Sequence, residues 1–429
     1  MRDQVSSLGG ESQFMKRIMI TVLGFSIAGM VHAGGYRVAT QGHKALAMGH
    51  AGVAMSESAE VVFFNPGAMT QLEAERDFTG GLTLLASETI YENQDTLVDE
   101  ETDNPLGTPV NAYYTSKLSD KLSWGLGIYT PYGNKVDWPT DWAGSHLVNN
   151  IELASIYVQP TIGYQINEST SVGFGPALVI GMVDFNRNLS TSLTDANGNR
   201  SNVTIEASNL TEWGYNLGIL HKINDKLTFG ASYRSEVIVE ARGEDAEFSD
   251  IPAALQGAFP AEAEFDADLP LPAELTIGIA YKYSDKLTLA FDINRTYWDV
   301  FDTLLVEFDT GLDSDNPRLY EDSNIYRFGA QYRYNDKWTL RGGIYFDDTP
   351  IPDGSFEPIT PRGDSIGYTG GATYHYSKNL EIDISVLILT FDDEEHSYDY
   401  YEEGGFTIPF SGDYDSAANS IGFGLTYRY

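Results

Sequence analysis

The run Gly363-Asp364-Ser365-Ile366-Gly367 has the spacing of a hydrolase nucleophile, a serine between two glycines on a sharp turn. Such a serine attacks an ester carbonyl only where the turn joins a strand to a helix and a histidine can take its proton. The flanking residues do not fit. Ile366, Tyr368, Ala372 and Tyr374 alternate with small or polar residues, so Ser365 stands where a loop enters a strand. The seven histidines are scattered, and none can be assigned as its base. Ester hydrolysis abolished by Ser365→Ala would mark a lipase or esterase; the context predicts no enzyme. The chain has no cysteine, which removes disulfides, thiol catalysis and cysteine-based metal sites together. Acidic runs at Asp95–Asp103, Asp313–Asp315, Asp392–Glu395 and Asp399–Glu403 lack the full spacing of a calcium loop, so no metal ligands and no cofactor are implied. The net charge of −36 argues against nucleic acid and anionic surfaces as partners, since a phosphate binder needs the opposite sign.

The elements around these residues are strands. A short polar turn returns along the chain: Ser119-Asp120-Lys121-Leu122-Ser123, Asn224-Asp225-Lys226-Leu227-Thr228, Ser284-Asp285-Lys286-Leu287-Thr288 and Asn335-Asp336-Lys337-Trp338-Thr339. Asn167–Ser171 and Ser377–Glu381 are looser copies. Each separates two alternating runs, as in Leu275, Ile277, Ile279, Tyr281 and Tyr283 against Glu274, Thr276, Gly278 and Lys282. Aromatic residues collect beside the turns (Trp124, Phe229, Tyr281, Tyr283, Tyr332, Tyr334, Trp338, Tyr374, Tyr376). Such a girdle suits a membrane interface and separates this pattern from a soluble sandwich. Six turns give twelve strands, and runs near Phe78–Thr89 and Ser420–Tyr429 make fourteen. The expectation is an all-β, transmembrane antiparallel barrel with short turns at one end. Long acidic loops join the other end, at 91–109, 131–153, 186–210, 241–272, 301–322, 347–365 and 392–418. These loops form a soluble, repulsive outer surface, and their carboxylates could bridge divalent cations to lipopolysaccharide.

Lys16-Arg17, the apolar stretch Ile18–Met30 and Val31-His32-Ala33 read as a signal peptide over residues 1–33, with Met15 as a plausible true start. Residues 34–77 do not alternate and carry few charges, which a disordered tail would not show; they are expected to fold as a plug in the lumen, with the barrel over 78–429. Ala45, Leu46, Met48 and Gly49 could form a helical turn there. Phe63, Phe64 and Met69 are either apolar ligand contacts or plug core. A general diffusion porin would begin its first strand sooner after the leader, and the loops are too short for an adhesin to be favoured.

The Gly-rich start, Ala51-Gly52-Val53-Ala54, and Asn65-Pro66-Gly67 resemble the opening of the FadL family. Trp124-Gly125-Leu126-Gly127-Ile128-Tyr129-Thr130-Pro131-Tyr132-Gly133, followed by Trp138 and Trp142-Ala143-Gly144, is similar to its third strand and loop. The resemblance covers essentially the whole mature chain. Gly67 departs from it, since the family commonly has Ala there. The resemblance implies an outer-membrane transporter of a Gram-negative bacterium. Its substrate would be long-chain fatty acids or, in some members, aromatic hydrocarbons such as toluene. It further implies a landing groove between outer loops, a tighter lumenal site, and plug movement that releases ligand sideways at a kink in the third strand. Tyr129, Pro131 and Gly133 sit where that strand would kink, or where the second outer loop begins. In loop 241–272, Ile251, Ala254, Leu255, Ala258 and Phe259 repeat at helical spacing after Ser249-Asp250 and could line the groove or pack on their own loop. Lumenal cations such as Lys222, Arg234, Arg327, Arg333 and Arg341 could meet a carboxylate head or balance acids in a wet lumen. The aromatic C-terminal Tyr429 is the expected contact for the barrel assembly machinery, and membrane lipid and lipopolysaccharide are the expected surroundings.

Overall fold

The computed structural model describes residues 34–93, 96, 98–392 and 394–429. The expected leader 1–33, including Met15, lies outside them, as do parts of the acidic runs Asp95–Asp103 and Asp392–Glu395. Fourteen antiparallel wall strands follow one another around a closed barrel. They are β1 (Arg76–Asn93), β2 (Val110–Ser119), β3 (Leu122–Tyr129, resuming as Gly133–Asp137), β4 (Asn150–Gln165) and β5 (Thr170–Asn188). Then come β6 (Asn202–Lys222), β7 (Leu227–Arg234, resuming as Val237–Ser249), β8 (Glu262–Leu271, resuming as Glu274–Lys282) and β9 (Leu287–Thr296). The last five are β10 (Ser323–Arg333), β11 (Trp338–Asp347), β12 (Ser365–His375), β13 (Leu380–Phe391) and β14 (Phe410–Arg428). β14 closes on β1 in unbroken register from Asp77↔Arg428 to Glu92↔Asp413.

The recurring turns have a common cause. Asn335 Oδ1 accepts the N–H groups of Lys337 (2.8 Å) and Trp338 (3.0 Å), and Asn224 does the same for Lys226 and Leu227. Ser284 Oγ and Ser377 Oγ play this part in their own turns. A short side-chain acceptor satisfies the two backbone donors that a reversal leaves bare, which is why Ser or Asn opens each copy.

Burial is inverted relative to a soluble domain. Ile162, Phe174, Ile279, Phe328, Ile384 and Phe423 are exposed on the outer face, whereas Thr79, Asn216, Asp292, Asn294, Asp383 and Thr426 are buried inside. Period-2 alternation therefore presents an apolar belt to lipid and a polar lining to the lumen. Among the described residues no helix is long and apolar enough to cross a membrane; the strands do so.

Residues 34–75 fill the lumen with two short helices, α1 (His43–Leu46) and α2 (Val61–Phe64), and a 3-10 helix over Pro66–Gln71. They touch the wall backbone to backbone. A Cβ on Gly343 would lie 2.2 Å from Gly49 N, one on Gly173 2.3 Å from Pro66 C, and one on Gly230 2.1 Å from Val53 O. Glycine at these wall positions is what admits the plug. Glu60, beside α2, is fully enclosed, and burial lifts its carboxyl to about 7, with Lys44 opposing and Asp383 adding to the rise. A carboxyl raised in this way costs stability only where it is ionised. The plug should therefore be held most firmly below about pH 4.5 and loosen progressively as pH rises through 7. Hydrogen-exchange protection of residues 42–64, taken relative to the intrinsic amide rate at each pH, should be greater at pH 6 than at pH 8, and Glu60→Gln should remove that difference. An unchanged difference in that variant would assign the effect to another group.

Several boundaries differ from the sequence reading. The first strand begins at Arg76, two residues before Phe78, because Arg76 exchanges backbone hydrogen bonds with Tyr429 (3.2 and 3.1 Å). The segment 241–272 is largely wall: β7 runs to Ser249 and β8 starts at Glu262, paired from Val237↔Leu271 to Glu247↔Glu262. Similar extensions shorten the expected loops 91–109, 186–210 and 392–418. The charged residues that mark these stretches lie on strand faces standing above the membrane, which acidic alternation alone does not separate from loop. The helix expected at Ile251–Phe259 is only a pair of turns, with Leu255 N bonding Pro252 O and Phe259 N bonding Leu255 O. Asp250 has a left-handed backbone (φ 52°) and cannot cap, and so short a segment, with Gly257 inside it, does not sustain a helix.

Candidate functional site

β3 stops at Tyr129 and resumes at Gly133, and both pieces pair with β4. Three residues, Thr130 to Tyr132, oppose two on β4, so the strand bends out of register. Pro131 supplies no N–H, and the groups the bend exposes are met from inside by the plug. Val38 N donates to Pro131 O (2.8 Å), Gly133 N to Tyr36 O (2.9 Å), and Gln41 Nε2 to Thr130 O (2.6 Å). Residues 36–41 thus act as a patch over a break in the wall. Of the two sequence readings of Pro131 and Gly133, the geometry is that of a kink.

Above this patch lies a cavity of about 940 Å³. Its floor is Tyr36, and its apolar lining includes Phe185, Val239, Phe248, Phe265, Leu269 and Leu304. Two guanidinium groups enter it, from Arg187 and Arg318. Arg318 is paired with Glu357. Arg187 is held only by neutral acceptors, His146 O (3.2 Å) and Ser314 Oγ (3.0 Å), and no carboxylate pairs with it among the described residues. A half-buried guanidinium without a carboxylate partner, set against an apolar wall, is a ready partner for an anionic head group. The outer loops close over this region through aromatic packing. Trp138 and Trp142 stack at 4.0 Å, and His146 lies against Tyr401 and Phe410. Enclosure there lowers the His146 imidazole to about 4, so it is neutral at physiological pH.

Beneath the cavity, a space of about 30 Å³ is lined by Arg37, Phe63, Phe64, Pro131, Arg234 and Arg327. Arg234 sits 4.3 Å from the Phe63 ring centroid, donates to Phe63 O, and pairs with Glu274 at 3.4 Å. Arg37 pairs with Asp347 at 2.7 Å.

The structure brings some of the sequence-selected residues together and separates others. Phe63, Phe64, Tyr129 and Pro131 meet around the small space or its rings, with Phe63 edge-on to Tyr129 at 4.9 Å. Phe259 lines the large cavity, while Ile251 and Leu255 pack in the apolar cluster beside it. Met69 is buried against Gly125 and Gly163 of the wall, away from both spaces. Asn65 is a staple: its Nδ2 donates to Val53 O (2.7 Å) and to Ile219 O of β6 (2.9 Å), and its Oδ1 accepts from Gly67 N. Pro66 then starts the 3-10 helix, and a Cβ on Gly67 would meet Gly218 O and Ile219 Cα at 2.9 Å. Of the cations named from sequence, Arg234, Arg327 and Arg341 are buried inside, and Arg341 binds Glu57 of the plug (3.1 Å). Lys222 and Arg333 are exposed near the short turns. Arg187 and Arg318 were missed because both fell in stretches taken as loop. The spacing Phe185, Arg187, Leu189 was the available signal, since alternate residues share a strand face. Ser365 is buried at the start of β12, a strand and not an elbow.

A closed barrel with an apolar outer belt, a polar lumen filled by its own N-terminal segment and an apolar chamber above that segment defines a plugged outer-membrane channel. Residues 24–429 match the family model described as outer membrane protein transport protein (OMPP1/FadL/TodX), and the chain belongs to that family. It is 22% identical to the long-chain fatty acid transport protein of Salmonella typhi over 386 residues, covering 82% of this chain and 86% of that one. With the long-chain fatty acid transport protein of Escherichia coli strain K12 it shares 24% over 332 residues, 68% of this chain and 74% of the other. Among solved structures, a Pseudomonas aeruginosa FadL homologue superposes with a TM-score of 0.78 at 17% identity, covering 94% of this chain and all but a hundredth of its own (99%). The Ralstonia pickettii toluene transporter TbuX gives 0.68 at 18% identity, with 90% and 98% covered. The protein is therefore an outer-membrane transporter for hydrophobic compounds in a Gram-negative bacterium, and not an enzyme.

Proposed function

We propose that the protein imports long-chain fatty acids. The chain would lie in the 940 Å³ cavity and the carboxylate on Arg187. The observation that carries this reading is a guanidinium with no carboxylate partner among the described residues, facing a chamber whose inner wall is apolar and whose outer end carries Asp313, Asp315, Asp399 and Glu402. A toluene-type ligand would leave that charge uncompensated. It would also fill little of the space, since a cavity of roughly 150 Å³ suffices for benzene. In this reading residues 1–33 are an export leader and 34–75 a movable plug. Phe259 contacts the acyl chain, and Phe63 and Phe64 meet it only as it moves down. Ile251 and Leu255 support the chamber wall, and Tyr429 is the handle for barrel assembly. Withdrawal of residues 36–41 from the β3 break would free ligand sideways into the bilayer, so that an apolar chain never meets bulk water.

The test is saturable binding of oleate and of toluene to refolded barrel, with and without residues 34–75. Oleate binding that depends on the segment is the expected result. Saturable toluene binding with none for oleate would transfer the protein to the aromatic hydrocarbon importers. Free passage of sugars through the intact chain would return it to the general porins.

A further inference from the structure

The wall has a second discontinuity, between β8 and β9. Their ladder runs from Lys282↔Thr288 to Glu274↔Thr296, with a last bond from Tyr297 N to Ala273 O. It starts again only at Ala267↔Val306, where the strand Thr303–Phe308 rejoins β8. Between these points Asp268–Pro272 has no ladder partner on that side. The opposing chain folds inward there as a 3-10 turn, Trp298–Val300. Pro270 and Pro272 carry no N–H, so β8 offers no donor at those two positions. Their carbonyls are taken by tyrosines from inside. Tyr36 of the plug donates to Pro270 O, and the Tyr132 hydroxyl, from the β3 break, lies 2.8 Å from Pro272 O.

Aromatic rings stop the interruption. Trp298 is buried 4.8 Å from Tyr36, Phe301 is 5.7 Å from it, and both contacts are edge-on. Leu269 and Leu271 on one bank, and Phe301, Leu304 and Val306 on the other, all line the large cavity, as does Tyr36, so this aromatic seal stands between the chamber and the interruption. The level is set by the outward residues. Below lie half-buried Tyr233 and Tyr297 and then the exposed Ile277 and Ile293; on the rim are exposed Asp268, Asp299 and Glu236. The β3 break instead has the apolar Ile128 and Ile156 beside it. One break thus has apolar neighbours, and the other a mixed rim, where exposed Asp268, Asp299 and Glu236 stand beside exposed Ile238, the register partner of Pro270, and Leu305, as at a membrane–water boundary.

We propose that the β8–β9 interruption is a side entrance through which amphiphiles lying at the outer membrane surface reach the cavity, with Tyr36 and Trp298 as its door. This rests on the cavity being a ligand site. Tyr36 belongs to the same three residues that cover the β3 break, so one displacement of the plug's first turn unlatches entrance and exit together. An amphiphile suits the rim, because its head stays among the polar groups while its chain passes the aromatic seal.

The chain has no cysteine, so paired thiols can be placed cleanly. Asp268→Cys/Asp299→Cys, joined by a short bis-maleimide, staples the two banks. Glu240→Cys/Asp268→Cys staples β7 to β8, where those residues are already register partners, and is the control. In proteoliposomes, arrival of a fluorescent fatty acid already in the bilayer should slow roughly tenfold with the cross-bank staple, the effect of adding about 1.4 kcal/mol to a barrier. Arrival from the outer aqueous side should be unchanged, and the control staple should affect neither. Tyr36→Phe, which removes the bond to Pro270, should speed arrival from the bilayer. Equal rates by both routes with either staple would overturn the entrance while leaving the cavity reading intact. No saturable arrival by any route in the unstapled protein would overturn both.

Discussion

Replacing Arg187 by leucine should weaken oleate binding by about ten- to a hundredfold, the loss expected for one charge-assisted hydrogen-bonding partner, while toluene binding stays unchanged. Arg187 reaches the chamber from the end of β5, and among the described residues its hydrogen-bonding partners are a backbone carbonyl and a hydroxyl. Neutral acceptors hold the fork in place without cancelling the charge, so a carboxylate would gain a pre-oriented partner at little reorganisation cost. Arg318 cannot substitute, because Glu357 already neutralises it. Displacement titration with a carboxylate and with its methyl ester makes the comparison. Parallel losses for both ligands would show that Arg187 acts through packing, and equal affinity in wild type and variant would remove it from the site.

A second large effect is expected at the wall glycines. Gly343→Val should expel the plug and convert a closed barrel into a wide, ion-conducting pore. The new Cβ would fall 2.2 Å from Gly49 N and 2.3 Å from Met48 C, both backbone atoms that no rotamer change can move. The neighbouring Gly342 has only Thr369 O within reach of a Cβ, at 3.9 Å, and Gly342→Val should conduct no more than wild type. Single-channel recording in planar bilayers distinguishes them. A silent Gly343→Val barrel with normal heat-modifiability on a gel would mean that the plug can shift without leaving.

The barrel was legible because its causes are local. Strand alternation, a Ser or Asn acceptor at each short turn and aromatic residues beside it are written within a few residues of one another. Strand number follows from counting turns. What was not legible depends on partners distant in sequence. Asp268 reads as a loop acid because nothing local says that it faces Glu240 on a paired hairpin. Pro131 could open a loop or bend a strand until Val38, 93 positions earlier, is seen bonded to its carbonyl. Asn65-Pro66-Gly67 was recognisable as a motif, but its work of joining Val53 to Ile219 could not be read from three residues. Arg187 is visible in the alternation of Phe185 and Leu189, but it falls at the edge of a polar stretch, 186–210, that reads locally as loop.

The anchoring of the plug fixes the order in which the molecule can be built. Lys44 binds Glu381 of β13 (2.6 Å) and Thr426 of β14 (3.1 Å). Asp77 of β1 accepts Ala59 N, and Arg428 of β14 donates to Glu57 O. Asp77 and Arg428 are themselves joined at 3.0 Å across the line where first and last strands meet. These anchors exist as a set only after the first and last wall strands have met, although the plug precedes every wall strand in the chain. The earliest segment must wait for the latest one. Its seating is a built-in completion signal for biogenesis, and an unfinished barrel would betray itself by a loose, protease-sensitive N-terminus.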